Sequence, residues 1–315
     1  MIVSVFSQKG RFINMFFMSA KKQDELVEDL AFAAGKKSQW REIWQRLLRN
    51  KLAVVGLCII IILLFMTIFA NLITSYDYTF QNPPKKFTFP NREHIMGTDN
   101  FGRDLFARLL NGGRVSLLVS LIAVIISGGL GIFLGSVAGF FGGKIDLIIT
   151  RLLDILMAIP NLLFAVALSV ALGSGPFNTA LAISFAGTPS TMRIMRSTVL
   201  SIKSNDYVEA AIATGSARMR ALLKHVLPNA VAPLIVNLTL HIGTNIMAIS
   251  GLSFIGLGVY PPTPEWGSIL NSGRPFIRDF WPLIIFPAMF IALTVFGFNL
   301  LGDGLRDALD PRLKD

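Results

Sequence analysis

Few residues in this sequence are spaced for catalysis. The three histidines, His94, His225 and His241, stand far apart and no His-Glu-x-x-His pattern occurs, so neither a zinc site nor any catalytic residue is expected. Cys58, the single cysteine, sits inside an apolar run with no partner for a disulfide or thiolate cluster. Gly142, Gly143 and Lys144 lack the spacing of a phosphate-cradling G-x-x-x-x-G-K-[ST] loop, so no nucleotide or other cofactor is expected on this chain. The residues with a purposeful order lie instead in SNDYVEAAIATGSARMRALLKHVLPN, residues 204–229, which reads as two short helices. Asp206 with Glu209 three residues on suits a capping box, Gly215 suits a left-handed stop, and Ser216 suits the cap of a second helix. Leu222, Leu223, Val226 and Leu227 give that second helix an apolar face, and Pro228 with Asn229 is expected to end it.

The elements that must carry this hairpin are set by lipid. With 53% hydrophobic and only 15% charged residues, and a mean hydropathy of +0.60, the chain holds less charge than the roughly 25% of a soluble domain. Crossing a bilayer takes about 20 apolar residues. Charge-free runs at residues 52–73, 115–141, 155–172, 177–192, 230–252 and 281–301 predict six transmembrane helices in an all-α membrane protein. Ahead of the first, Trp40, Ile43, Trp44, Leu47 and Leu48 recur at helical spacing among arginines, which predicts an interfacial elbow helix. Gly131, Gly135 and Gly139 recur every four residues, the pattern of a close helix–helix contact.

A first apolar run preceded by about fifty residues, with no small-residue cleavage site, reads as an anchor and not a signal peptide. Lys and Arg are dense before the first span and again at residues 193–224, which places both termini in the cytoplasm. The expected organisation is a cytoplasmic segment at 1–50, a first span at 51–76, an external loop at 77–114, a core at 115–302 and a tail at 303–315. Within the core lie a cytoplasmic loop at 200–229 and an external one at 253–280. The net charge of +10 then belongs to topology and not to a nucleic-acid surface.

The order Glu209, Ala210, Ala211, then Gly215, then Leu227 and Pro228 resembles the EAA loop of binding-protein-dependent ABC importer permeases. His225 departs from that pattern, standing where an aliphatic residue is usual. Three more segments are similar to the C-type permeases of dipeptide, oligopeptide and nickel importers: HIMGTDNFGRDLFARLLNGGRVSL at 94–117, LSFIGLGVYPPTPEWGSIL at 252–270 and LGDGLRDALDPRLKD at 301–315. The resemblance covers residues 40–315 and implies a type I, MetI-like permease of the bacterial cytoplasmic membrane. It further implies a homologous permease partner, two ATP-binding subunits that dock on the EAA loop, and an extracytoplasmic substrate-binding protein. Peptides are the implied cargo, with nickel or glutathione as the alternative.

A self-sufficient secondary carrier or channel is the rival class, since Asn237, Thr239, His241, Thr244 and Asn245 lie on the fifth span. Against it, none of the six spans carries an acidic residue. The same absence disfavours an intramembrane protease.

Overall fold

The computed structural model describes residues 39–309, whose regular elements are all helical. α1 (Gln39–Arg49) belongs to an N-terminal unit of its own, and on it Arg46 pairs with Glu42 one turn away at 2.6 Å. From Asn50 onward the chain forms a second unit. Asn50 leaves the helical region and its side-chain oxygen accepts from the N–H groups of Leu52 and Ala53, so α2 (Lys51–Ile68) begins afresh at the first apolar run.

A short α3 (Ala70–Ile73) and an irregular segment lead to α4 (Leu105–Phe141). Then come α5 (Gly143–Met157), α6 (Asn161–Leu172), α7 (Pro176–Lys203), α8 (Asp206–Ala213) and α9 (Arg218–Ala221). A π-turn at Leu222–Val226 joins α9 to α10 (Leu227–Phe254), followed by α11 (Trp266–Gly273) and α12 (Pro282–Leu309). By length and composition α2, α4, α12 and the continuous run Arg218–Phe254 can each cross a membrane, and the bent pair α5–α6 adds a fifth only if its two limbs are one span rather than a re-entrant loop. The six expected spans thus become four or five by this measure: α7, which carries the run at 177–192, is 28 residues long but falls short of it, its apolar character diluted by Thr179, Ser184, Thr188, Thr191, Arg193 and Arg196.

Several boundaries differ from the charge-free runs, each for a local reason. α4 starts at Leu105 and not near Val115, because Asp104 caps it by accepting from Ala107 N–H at 2.7 Å. Its early charges are also satisfied: Arg108 lies 3.4 Å from Asp99, and Arg114 donates to the carbonyls of Thr67 and Ile68. The loop expected at 77–114 therefore ends at 104.

The run expected as one helix over 155–172 is broken by 87° between α5 and α6. Pro160 has no N–H and forces Ile159 away from helical backbone, so the ladder stops at Ala158, whose N–H reaches Asp154 O. α5 is tied to α7 through a bidentate pair of Arg196 with Asp146 (2.5 and 2.6 Å) and through Arg193 with Asp154 (3.0 Å). At the other end of the chain, α12 runs on to Leu309, so the first part of the expected tail continues the last span. Residues 310–315 lie outside the described residues.

Packing makes four apolar clusters among the described residues, the smallest of them Ala138, Leu153 and Met192. Around Trp266, side chains from α2, α4, α10, α11 and α12 meet. Val119, Ala123, Ala180, Ile183, Ile249 and Leu252 join α4, α7 and α10. The third cluster, Phe140, Met195, Val199, Val208, Leu222 and Val226, beds the hairpin onto the ends of α4 and α7.

Candidate coupling surface and central cavity

The hairpin predicted at 204–229 is present, with different caps. Asn205 holds the extended N-cap backbone of α8 and no side chain caps it; Asp206 is already helical, so the expected Asp206–Glu209 capping box does not form. Ala217, and not Ser216, precedes α9. Gly215 adopts φ +93° in a Schellman motif: its N–H reaches Ile212 O, and Ser216 N–H reaches Ala211 O, both at 3.0 Å. A side chain at Gly215 would meet no atom within 4 Å, so glycine is required there by backbone conformation alone.

The two faces of α8 differ. Val208 is fully buried in the cluster beneath, whereas Tyr207, Glu209, Ala210 and Ala213 are exposed and Ala211 is half-buried. What faces solvent is thus Ala210 and Ala213 beside Tyr207 and two carboxylates, Asp206 and Glu209, anchored from below.

Leu227 and Pro228 do not end the second helix. Leu227 N–H reaches back five residues to Leu222 O, and the wider turn accommodates Pro228, which has no N–H to donate. Asn229 Nδ2 donates to His225 O at 2.6 Å, and the helix continues without interruption into α10.

Gly131, Gly135 and Gly139 lie along the contact of α4 with α7. A Cβ on Gly131 would come within 2.7 Å of Thr191 Cβ, on Gly135 within 2.6 Å of Met192 O, and on Gly139 within 2.9 Å of Arg196 O. The backbones approach as closely as glycine permits.

At the opposite end, the Gly-Thr-Asp and Gly-Arg-Asp elements fold onto each other through a bridge between Thr98 and Asp104. Asp99 accepts from Arg103 Nε at 2.6 Å, and His94 Nδ1 lies 2.8 Å from Asp104. All four of these side chains are buried. Nearby Glu93 pairs with Lys85, whose hydrogen bond and charge hold the Glu93 carboxyl below the ordinary carboxylate range. Glu265, fully buried, caps α11 and accepts from Ser116 at 3.0 Å and Ser250 at 3.3 Å, while Trp266 Nε1 donates to Leu109 O. The proline-rich segment thereby knots α4, α10 and α11 together. The sequence marks the segment but not this carboxylate, whose only signal is the order Glu265-Trp266-x-Ser268, a cap preceding a helix.

A cavity of about 510 Å³ opens between α6, α7 and α10. Its polar lining is Asn161, Ser190, His241, Thr244 and Asn245; the rest is small or apolar, including Ala165, Ala186, Gly187 and Gly251. Of the polar groups noted on the fifth span, Thr239 lies outside this lining and donates to Ile235 O at 2.8 Å, Thr244 lines it while donating to His241 O at 3.1 Å, and Asn237 Oδ1 is buried elsewhere without a partner. Asn161 and Ser190 were not foreseen; the Pro160-Asn161 step is the sequence signal for the first. Among the described residues no group of His, Cys, Asp and Glu is placed to hold a metal ion.

Comparison with known proteins gives concordant results. Residues 131–315 match the family described as binding-protein-dependent transport system inner membrane component, and residues 38–90 match the N-terminal TM domain of oligopeptide transport permease C. The chain is 44% identical to the dipeptide transport system permease protein DppC of Alkalihalophilus pseudofirmus, over 88% of this chain and 91% of that one. Identity is 40% with the oligopeptide transport system permease protein OppC of Bacillus subtilis, covering 88% and 91% of the two chains. It is also 40% with the glutathione transport system permease protein GsiD of Escherichia coli, covering 88% and 92%. In fold it is similar to a chain of the inward-facing MetNI methionine ABC transporter, with a TM-score of 0.54 at 17% identity over 64% of this chain and 96% of that one. An all-helical set of membrane-length helices, with matches across both its first span and its core, makes this chain a member of the binding-protein-dependent transport system inner membrane component family.

Proposed function

We propose that this chain is one of two permease subunits of an ATP-driven importer for di- or oligopeptides, with both termini in the cytoplasm. The observation that carries the reading is α8: an exposed strip of Glu209, Ala210 and Ala213, fixed from beneath by Val208 and closed by the Gly215 motif. Such a surface suits insertion into a groove on an ATP-hydrolysing subunit, since small residues let another backbone approach closely. Two ATPase subunits would dock on this hairpin and its counterpart in a homologous permease. Peptide cargo is supported by the names of relatives at 40–44% identity, and glutathione, itself a small peptide, by one of them.

In this reading, closure of the ATPase pair moves α8 and α9, and the unbroken helix from Arg218 carries that motion into α10. An extracytoplasmic binding protein delivers the solute to the opposite end. The test is co-expression with candidate partner subunits, purification of the intact complex, and ATP-dependent uptake of labelled peptides into proteoliposomes. Uptake by this chain alone, driven by an ion gradient, would overturn the proposal in favour of a carrier.

A further inference from the structure

The break at Pro160 leaves a bare helix start facing the cavity. Phe164 N–H makes the first bond of α6, to Pro160 O, and no side chain caps the helix. The N–H groups of Asn161, Leu162 and Leu163 therefore have no partner among the described residues. Asn161 and Leu162 both line the cavity. Across it stands Asn245, only 8% exposed, which lines the same space and makes no hydrogen bond among the described residues. Its amide atoms remain reachable from the cavity and are not engaged within the protein, so they are available to whatever occupies that space. His241, half-way along α10, adds a further hydrogen-bonding group, the Thr244 hydroxyl being already donated to His241 O, and no Asp, Glu, Lys or Arg lines the cavity.

We infer that this cavity is a carboxylate-binding waypoint, in which the N-terminus of α6 receives the C-terminal carboxylate of a passing peptide and Asn245 and His241 hold its neighbouring amide. Three observations converge on it. An uncapped helix start carries about half a positive charge and a set of unused N–H donors, the usual combination for an anion. Asn245 offers both a donor and an acceptor, as a peptide unit requires. A volume of about 510 Å³ lies within the roughly 300–1,000 Å³ of small-molecule sites. Because the lining has no fixed carboxylate, the anion enters without repulsion. Because it has no lysine or arginine, the anion is held weakly enough to leave.

The peptide identity of the ligand rests on the reading proposed above; the carboxylate chemistry does not. Asn161→Asp is the informative variant, since an acidic residue in the first turn suits a helix but opposes a bound anion. In proteoliposomes carrying the complete transporter and its binding protein, the apparent KM for trialanine is expected to rise at least tenfold in Asn161→Asp and in Asn245→Leu. Uptake of trialaninamide, compared at equal occupancy of the binding protein, should change less than twofold. Equal loss of both peptides, or no change in either, overturns the site.

A second measurement separates the site from the cargo. Saturation-transfer NMR on the purified complex in nanodiscs should show an acetate signal that disappears in Asn161→Asp, with acetamide much less affected. An acetate signal that survives the substitution overturns the site whatever the cargo. If the acetate signal disappears in the variant and the wild type takes up no peptide, the site is upheld and the peptide reading alone is refuted.

Discussion

Replacing Gly135 by alanine tests how the two central helices are held together. The added methyl would lie 2.6 Å from Met192 O, 2.7 Å from Met195 Cβ and 3.0 Å from Arg196 N. Two of these are backbone atoms and the third is fixed to backbone, so no rotamer change relieves the contact; α4 and α7 must move apart. Overpacking of this kind costs about 1–3 kcal/mol. Alanine also returns roughly 0.5–1 kcal/mol of helix preference over glycine, so the net loss is smaller than the clash alone. Gly129, on the same helix, provides the control, because a Cβ there meets nothing within 4 Å. Thermal unfolding of the purified complex, followed by fluorescence-detected size exclusion, should give a midpoint at least about 2 °C lower for Gly135→Ala than for Gly129→Ala. Equal midpoints for the two variants would refute the claim that this seam is closed to a methyl group.

Gly215→Val should abolish peptide uptake while leaving ATP hydrolysis by the complex measurable, because valine at φ +93° strains the turn that ends α8; Gly215→Asn, better suited to positive φ, should retain more uptake. Asp99→Ala leaves the buried Arg103 and Arg108 without their carboxylate, a loss of about 3–5 kcal/mol that should appear as a sharp drop in folded protein in the membrane. Glu265→Gln turns one acceptor into a donor facing Ser268 N–H or the Ser116 and Ser250 hydroxyls, and should cost about 1–3 kcal/mol, read as a lowered unfolding midpoint. Asp146→Asn, by contrast, removes a pair that is partly exposed, and should shift the midpoint by no more than about 1 kcal/mol allows, less still at high salt.

The apolar runs made most of the long helices legible, because lipid demands uninterrupted hydrocarbon and sequence records it directly; the runs at 155–172 and 177–192 were the exceptions, one broken by 87° and the other on a helix too polar to count as a span by composition. Where helices start was less legible. Arg108 and Arg114 disguised the first turns of α4, since a charge whose partner comes from Asp99 or from the Thr67 carbonyl looks unsatisfied until the loop is folded. Proline misled in both directions. Pro228 looked like a stop and is absorbed by a widened turn, whereas Pro160 sat unnoticed in an apolar run and breaks the helix by 87°. The difference lies in what the neighbouring carbonyls can reach, which is a property of three-dimensional packing. Gly215 was legible because a left-handed stop has a narrow residue preference. Glu265 was not, because its partners lie on α4 and α10, as much as 149 positions away in the case of Ser116.

The widened turn at Leu222–Val226 inserts one residue more than a regular α-helix would use. Each residue turns a helix by about 100°, so this single surplus position sets the angle at which everything after it is presented. Were the same residues wound as regular α-helix instead, His241 and Asn245 would turn by about 100° away from the space they now border, even with α8 still seated on its bed. The aim of the cavity's polar side chains on α10 is thus fixed by a detail of winding at the base of that helix, roughly four helical turns before His241.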